Sequence, residues 1–190
     1  LKFFFNYPRI TLMNKFILKY GLISGLIMVA LFILSFYLLG GDKEENFKRG
    51  EILGYISMIL SLIAVFFGIK SFRDKQLGGV ISFGKALAAG TLITILAGLI
   101  FALYTIIFVE YLAPDFTENY YRQYTEQINS NDSLSANAKA EMINDLNSQK
   151  ELFSSGAVQG LVMFFTVFPI GLIISLISAA ILKNNPQPAA

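Results

Sequence analysis

Glu44 and Glu45, flanked by Lys43 and Lys48, are the adjacent carboxylate pair of this chain. Two carboxyl groups can divide general-acid and general-base work when their environments push their pKa values apart. These two share one short polar connection with cations on either side, which fits a solvated run of charge better than an active site. The rest of the chemical inventory is narrower. With no histidine and no cysteine, the chain lacks the commonest general base, the usual zinc and copper ligands and any thiol. Metallohydrolase, Ser-His-Asp and Cys-His mechanisms are excluded on that ground. No catalytic residue, no metal ligand and no cofactor-binding residue is expected.

The elements that would have to position any chemistry are set by lipid rather than water. Hydrophobic residues make up 55% of the chain and charged residues 15%, against a soluble norm of about 25% charged. The charges are clustered, leaving Tyr20–Gly41, Ile52–Ile69, Ala86–Val109 and Leu152–Leu182 free of Asp, Glu, Lys and Arg. Crossing about 30 Å of hydrocarbon at about 1.5 Å per residue takes roughly 20 residues. All four runs are long enough to be candidates. Inside a bilayer each backbone amide must find its partner within the protein, so a lone run is helical unless the chain closes a barrel. Barrel strands alternate polar and apolar residues, whereas Leu26 to Phe36 is apolar throughout except for Ser35. The fold class is therefore all-α: a polytopic membrane protein with four transmembrane helices at about 20–40, 52–69, 86–109 and 156–182. Tyr37, Leu38 and Leu39 stand where a signal peptide needs small cleavage-site residues, so the first run reads as an uncleaved anchor. Met13 opens a conventional membrane-protein start, and residues 1–12 are given no functional weight.

Orientation follows from where the Lys and Arg residues fall, since short cationic segments stay on the cytoplasmic side. The N-terminal segment, the connection from Lys70 to Lys85 and the tail at Lys183 together hold nine cations against the single acid Asp74. The other two connections hold six cations against twelve acids. Both termini and the 70–85 connection are expected in the cytoplasm, and the remaining connections outside. The net charge of +2 is the sum of these opposed sides and gives no reason to expect a nucleic-acid partner.

Residues 114–151 form the only sizeable aqueous segment, an extracytoplasmic helical hairpin between the third and fourth spans. Pro114 should end the third span, and Asp115 with Glu118 has the spacing of a capping box for a new helix. Phe116, Tyr120, Tyr124 and Ile128 recur every four residues and line one face. Asn129 to Asp132 reads as a turn. Ser135 can cap a second helix whose apolar stripe is Met142, Ile143 and Leu146. Packing of Phe116, Tyr120 and Tyr124 on Met142 and Leu146 is preferred to a ligand surface, because a short amphipathic helix needs its apolar face covered.

No ionisable residue lies inside the four runs, which argues against proton-coupled or ion-coupled transport. Small residues are the most organised feature of the spans. Gly21 and Gly25, then Gly90, Thr94 and Gly98, then Gly156 and Gly160 repeat at intervals of four, with Gly54, Ser57, Ser61 and Gly68, and Gly171 and Ser175, continuing the habit. Such faces let helix backbones approach closely, either within one bundle or across a dimer. Pro169 should kink the fourth span and can act as a hinge, with Thr166 placed to satisfy the carbonyl its ring displaces. Lys70, Arg73, Lys75 and Lys85 are placed to hold anionic lipid headgroups, although topology alone also explains them. The two halves of the chain show no convincing internal repeat.

The segments Phe67-Gly68-Ile69-Lys70-Ser71-Phe72-Arg73-Asp74 and Ile81-Ser82-Phe83-Gly84-Lys85-Ala86-Leu87 carry a recognisable pattern. It continues through Pro114-Asp115-Phe116 and Ile173-Ile174-Ser175-Leu176-Ile177 to Lys183. Over roughly Met13 to Lys183 the chain resembles a family of bacterial four-span inner-membrane proteins classified as a domain of unknown function. That resemblance implies a bacterial inner-membrane location and a shared topology. It brings no substrate, cofactor or catalytic residue.

Two functions lead, and an intramembrane enzyme, which would need clustered Asp, Glu or Tyr at one depth, comes third. The first is a non-catalytic protein that associates with lipid, with itself or with another membrane protein. The second is a carrier or pore for an uncharged or amphipathic solute, for which a polar cavity reaching both membrane faces would be the mark.

Overall fold

The computed structural model describes residues 7–39 and 47–184; Asp42, Lys43, Glu44 and Glu45 lie outside them. Among the described residues the helices are α1 (Tyr7–Leu38), α2 (Phe47–Gln76), α3 (Phe83–Ile107), α4 (Phe116–Ser130), α5 (Ala136–Leu152) and α6 (Gly156–Leu182). There is no strand among them beyond an isolated bridge between Ile81 and Asn184. Within these helices four segments are long and apolar enough to cross a membrane: Lys15–Leu38, Lys48–Gln76, Phe83–Leu112 and Gly156–Leu182. α2 overruns its uncharged stretch at both ends, and α1 and α3 overrun theirs at the start, because Lys and Arg are good helix formers whose stems can follow the helix out to the headgroups.

The four long helices form one bundle. α3 packs along α6 and α1, and α2 touches α1, α3 and α6. Its interior differs from that of a soluble protein. Ser24, Ser61, Thr94, Ser175, Ala86 and Ala97 are fully buried, while Leu26, Leu103, Phe165 and Ile181 are each at least 59% exposed. Large apolar side chains gain little by leaving lipid tails for a protein core, so the interior mixes Leu62, Ile93 and Phe101 with small residues that pack closely and hydroxyls that can bond. Ser24 Oγ donates to the Ser61 carbonyl across α1 and α2 at 2.8 Å. The Thr94 and Ser175 hydroxyls meet across α3 and α6 at 3.4 Å.

α3 ends in a π-helical turn, Phe108–Leu112, closed by the Ala113 amide donating to the Phe108 carbonyl at 2.8 Å. Pro114 disfavours the α conformation at Ala113, which sits at φ −144°, ψ 67°. The expected restart at α4 follows, but not through a capping box. Asp115 has φ −81°, ψ −5° and makes no side-chain cap bond, whereas a capping residue needs extended backbone. Glu118 instead pairs with Lys150 of α5. Ser135 does cap α5, its Oγ accepting from the Ala138 amide at 3.3 Å.

At the opposite end of the bundle the α2–α3 connection turns through Gly78 and Gly79, both with positive φ. Asn184, just past α6, ties this turn to the C-terminal segment. It donates to the Gly79 carbonyl and accepts from the Ile81 amide, and its own amide donates to the Ile81 carbonyl.

Candidate functional site

At the hairpin end α1, α2 and α6 spread apart, and α4 lies across the gap. The result is a cavity of about 430 Å³, inside the roughly 300–1,000 Å³ range of small-molecule sites. α1 contributes Phe32, Ser35 and Phe36, with Leu39 just past its end; α2 contributes Glu51, Gly54, Tyr55 and Met58. Gln159, Val162, Met163 and Thr166 of α6 form the far wall, and Phe116, Thr117, Tyr120 and Tyr121 of α4 form the roof. From Glu51 to Met58 the cavity follows α2 for about 10 Å at 1.5 Å per residue. It stops there. Past Met58 the fully buried Leu62, Val65 and Ile69 close the bundle centre.

The cavity has physical causes in the sequence. Gly54 faces it, and a methyl group built there would meet nothing within 4 Å. Phe32, Phe36, Phe108 and Phe116 meet edge-on or tilted in an aromatic clasp, with ring centroids 5.1–6.3 Å apart. Such pairs hold by ring quadrupole geometry beyond their area, and this one fastens α4 to α1 and to the end of α3. Gln159 fixes the other side. Its amide donates to Thr117 Oγ1 at 3.0 Å and to the Phe153 carbonyl at 2.9 Å, tying α4 and the α5–α6 joint to the fourth span.

Phe116 and Tyr120 of the hairpin stripe therefore face the bundle and its cavity, while α4 also packs along α5, where Met142 remains 45% exposed. The hairpin needs a cover for its apolar face, as expected, but the bundle offers a larger apolar surface than α5. The Tyr120 and Tyr124 rings meet tilted, 4.7 Å between centroids. Burial pushes the Tyr120 phenol well above its ordinary pKa, reinforced by its hydrogen bond with Tyr124 and by the Glu51 charge. Burial also raises Tyr121.

The small-residue positions lie elsewhere, at helix contacts inside the bundle. A methyl group on Gly21 would sit 2.6 Å from Leu96, and one on Gly25 would sit 2.8 Å from Ile100. Gly90 receives Ser175 and Ile69, Gly98 receives Phe164, and Gly160 lies 2.9 Å from the Ala102 carbonyl in the same construction. Gly156, the first residue of α6, lies against the Glu110 carboxylate, where a helix N-terminus favours negative charge. Gly54, grouped with these by its spacing, is the exception, since it borders open space.

At the other end Lys70, Lys75 and Lys85 are exposed. Arg73 is engaged with protein, its Nε at 2.7 Å from Asp74 and its Nη1 donating to the Leu182 carbonyl at 3.3 Å. Pro169 lies inside α6, which runs through it unbroken from Gly156 to Leu182. Thr166 does not serve the carbonyl that Pro169 leaves, because its hydroxyl donates to Val162 at 2.8 Å. Among the described residues no three His, Cys, Asp or Glu side chains gather as metal ligands would.

A family model described as a protein of unknown function (DUF4199) matches residues 19–184. The chain belongs to the DUF4199 family. No curated protein and no solved structure matches it. The matched span takes in the four long apolar segments, except the first four residues of Lys15–Leu38, and the hairpin, so the cavity of this DUF4199 protein lies wholly within the family region. Reading by composition missed Glu51, Tyr55 and Gln159 as site residues. Gln159 did leave a signal, as the one amide side chain in the fourth uncharged run.

Proposed function

We propose that this DUF4199 protein is a non-catalytic multi-pass protein of a bacterial inner membrane, working by association, and that its guest is an apolar or amphipathic molecule held in the hairpin-end cavity. One observation carries the reading: the cavity is built mostly of apolar and aromatic side chains, sits at the hairpin end of the bundle and has no α2 lining residue beyond Met58. A binding site needs one mouth, whereas a pore or carrier path needs a route onward, and the closed packing of Leu62, Val65 and Ile69 favours the former. Self-association through the glycine faces has less support, since Gly21, Gly25, Gly98 and Gly160 are covered by neighbouring helices. The absence of histidine and cysteine supports a role without catalysis. The charge asymmetry supports cytoplasmic termini, which would place the cavity in the outer leaflet.

Native mass spectrometry of protein ejected from nanodiscs tests this. Wild type should retain one lipid-like adduct per chain, and Gly54→Phe, which fills the cavity from its open face, should lose it. Equal retention by both proteins would overturn the proposal.

A further inference from the structure

Among the described residues the cavity lining contains one formally charged side chain, the Glu51 carboxylate, and no Lys or Arg. Glu51 lies one turn into α2, immediately before the apolar stretch that starts at Ile52. That is headgroup depth for a helix entering a bilayer. Its side chain is exposed, and among the described residues no Lys or Arg pairs with it. The neighbouring lining is aromatic, with Tyr55 one turn further along α2, Phe36 on α1, and Phe116 and Tyr120 overhead. The Glu51 charge is close enough to Tyr120 to raise its phenol pKa, so carboxylate and aromatic roof share one mouth.

A carboxylate beside several aromatic faces is the chemistry that recognises an organic ammonium. The cation meets a formal negative charge and the negative faces of the rings, and its alkyl substituents lose little on leaving water. An anionic headgroup would meet like charge there instead, and a neutral one would gain neither interaction. Beneath the mouth, Phe32, Met58, Val162 and Met163 leave an apolar space with few polar partners, which suits a hydrocarbon chain and wastes a hydrophilic guest.

Resting on the guest-binding reading above, we infer that the guest is a membrane-partitioned amphipath with an ammonium headgroup. Glu51 and the aromatic mouth hold the head, and one alkyl chain runs along α2 towards Met58. The occupant comes from the bilayer, because the head site alone is too open to hold a small water-soluble cation.

A chain-matched series tests the inference on the full chain in neutral maltoside micelles, read as saturable thermal stabilisation. Dodecyltrimethylammonium, dodecanol and dodecyl sulfate share a tail and differ in head charge, and tetramethylammonium supplies the head without a tail. Wild type should be stabilised saturably by dodecyltrimethylammonium at the lowest concentration, with dodecyl sulfate giving no saturable effect. Glu51→Gln, an isosteric change at an exposed position, should raise the midpoint for dodecyltrimethylammonium roughly fivefold or more, the scale of a lost charge contact. It should leave the dodecanol midpoint unchanged. Gly54→Phe should abolish the response to every tailed compound.

Equal midpoints for wild type and Glu51→Gln, or equal midpoints for dodecanol and dodecyltrimethylammonium on wild type, would overturn the headgroup assignment and leave the cavity reading standing. Stabilisation by tetramethylammonium alone at matching concentration would overturn the bilayer source. No saturable response of wild type to any tailed compound, or an undiminished response in Gly54→Phe, would bring down the cavity reading together with the inference.

Discussion

Gly171 of α6 and Thr94 of α3 meet with no room for a side chain between them, since a methyl group built on Gly171 would overlap the Thr94 side chain. The Thr94 hydroxyl lies 3.4 Å from that of Ser175, which donates to the Gly171 carbonyl at 2.7 Å. Close approach and hydroxyl bonding are thus one contact. Gly171→Ala should destabilise the bundle by about 1–3 kcal/mol, the usual cost of overpacking. Reversible unfolding in mixed micelles measures it.

Gly54→Ala should behave in the opposite way. Nothing lies within 4 Å of the added methyl group, and alanine is favoured over glycine in a helix by up to about 1 kcal/mol. The same unfolding measurement should show this variant at least as stable as wild type. A loss comparable to that of Gly171→Ala would mean that Gly54 is packed and that the cavity is closed in solution.

Gln159 is expected to govern how firmly the hairpin sits on the bundle. Gln159→Leu keeps the apolar contacts but removes both donations, to Thr117 and to the Phe153 carbonyl. Leaving such acceptors without a partner costs about 1–3 kcal/mol. Hydrogen exchange should quicken across α4 and the α5–α6 joint while the amides of α3 keep their protection. Unchanged exchange in α4 would show that the aromatic clasp alone holds it.

Alkaline pH should loosen the same region. The folded-state pKa of Tyr120 is raised, chiefly by burial. Its neutral phenol therefore supports the hairpin in full below the ordinary tyrosine value of about 10, and that support is lost as pH climbs towards the raised value. Ultraviolet difference titration should resolve a late-ionising tyrosine that disappears in Tyr120→Phe. The variant should also lose part of the alkaline loosening seen by hydrogen exchange.

Much of this fold could be read from the sequence because lipid imposes a coarse rule. Runs without charge had to be helices, and Leu26 to Phe36 or Ile173 to Ile177 admit no other reading. Ser135 and Pro114 marked helix boundaries for the same reason, as each acts on its own local backbone. Three features escaped. Phe116 and Tyr120 have a helical period that predicts a covered face but carries no information on which neighbour covers it; the bundle prevailed over α5 because Phe36 and Phe108 offer aromatic partners. Gly54 has the spacing of a packing glycine, yet it borders the cavity with nothing within 4 Å of an added methyl group, and where a bundle leaves space is a property of all its helices together. Glu51 looked like one more acid in a charged connection, since Tyr120, which feels its charge, comes from a distant part of the chain.

The claim on which the rest depends is that the cavity opens only on the hairpin side. Because the chain contains no cysteine, single substitutions report without background. Gly54→Cys would place a thiol in the cavity, Ser133→Cys one at the hairpin tip, and Lys183→Cys one at the far end of the bundle. In sealed, oriented vesicles a membrane-impermeant maleimide should label Gly54→Cys from the side that labels Ser133→Cys, and should fail to do so from the side that labels Lys183→Cys. Labelling of Gly54→Cys from both sides, or only from the Lys183 side, would contradict a cavity closed at Met58.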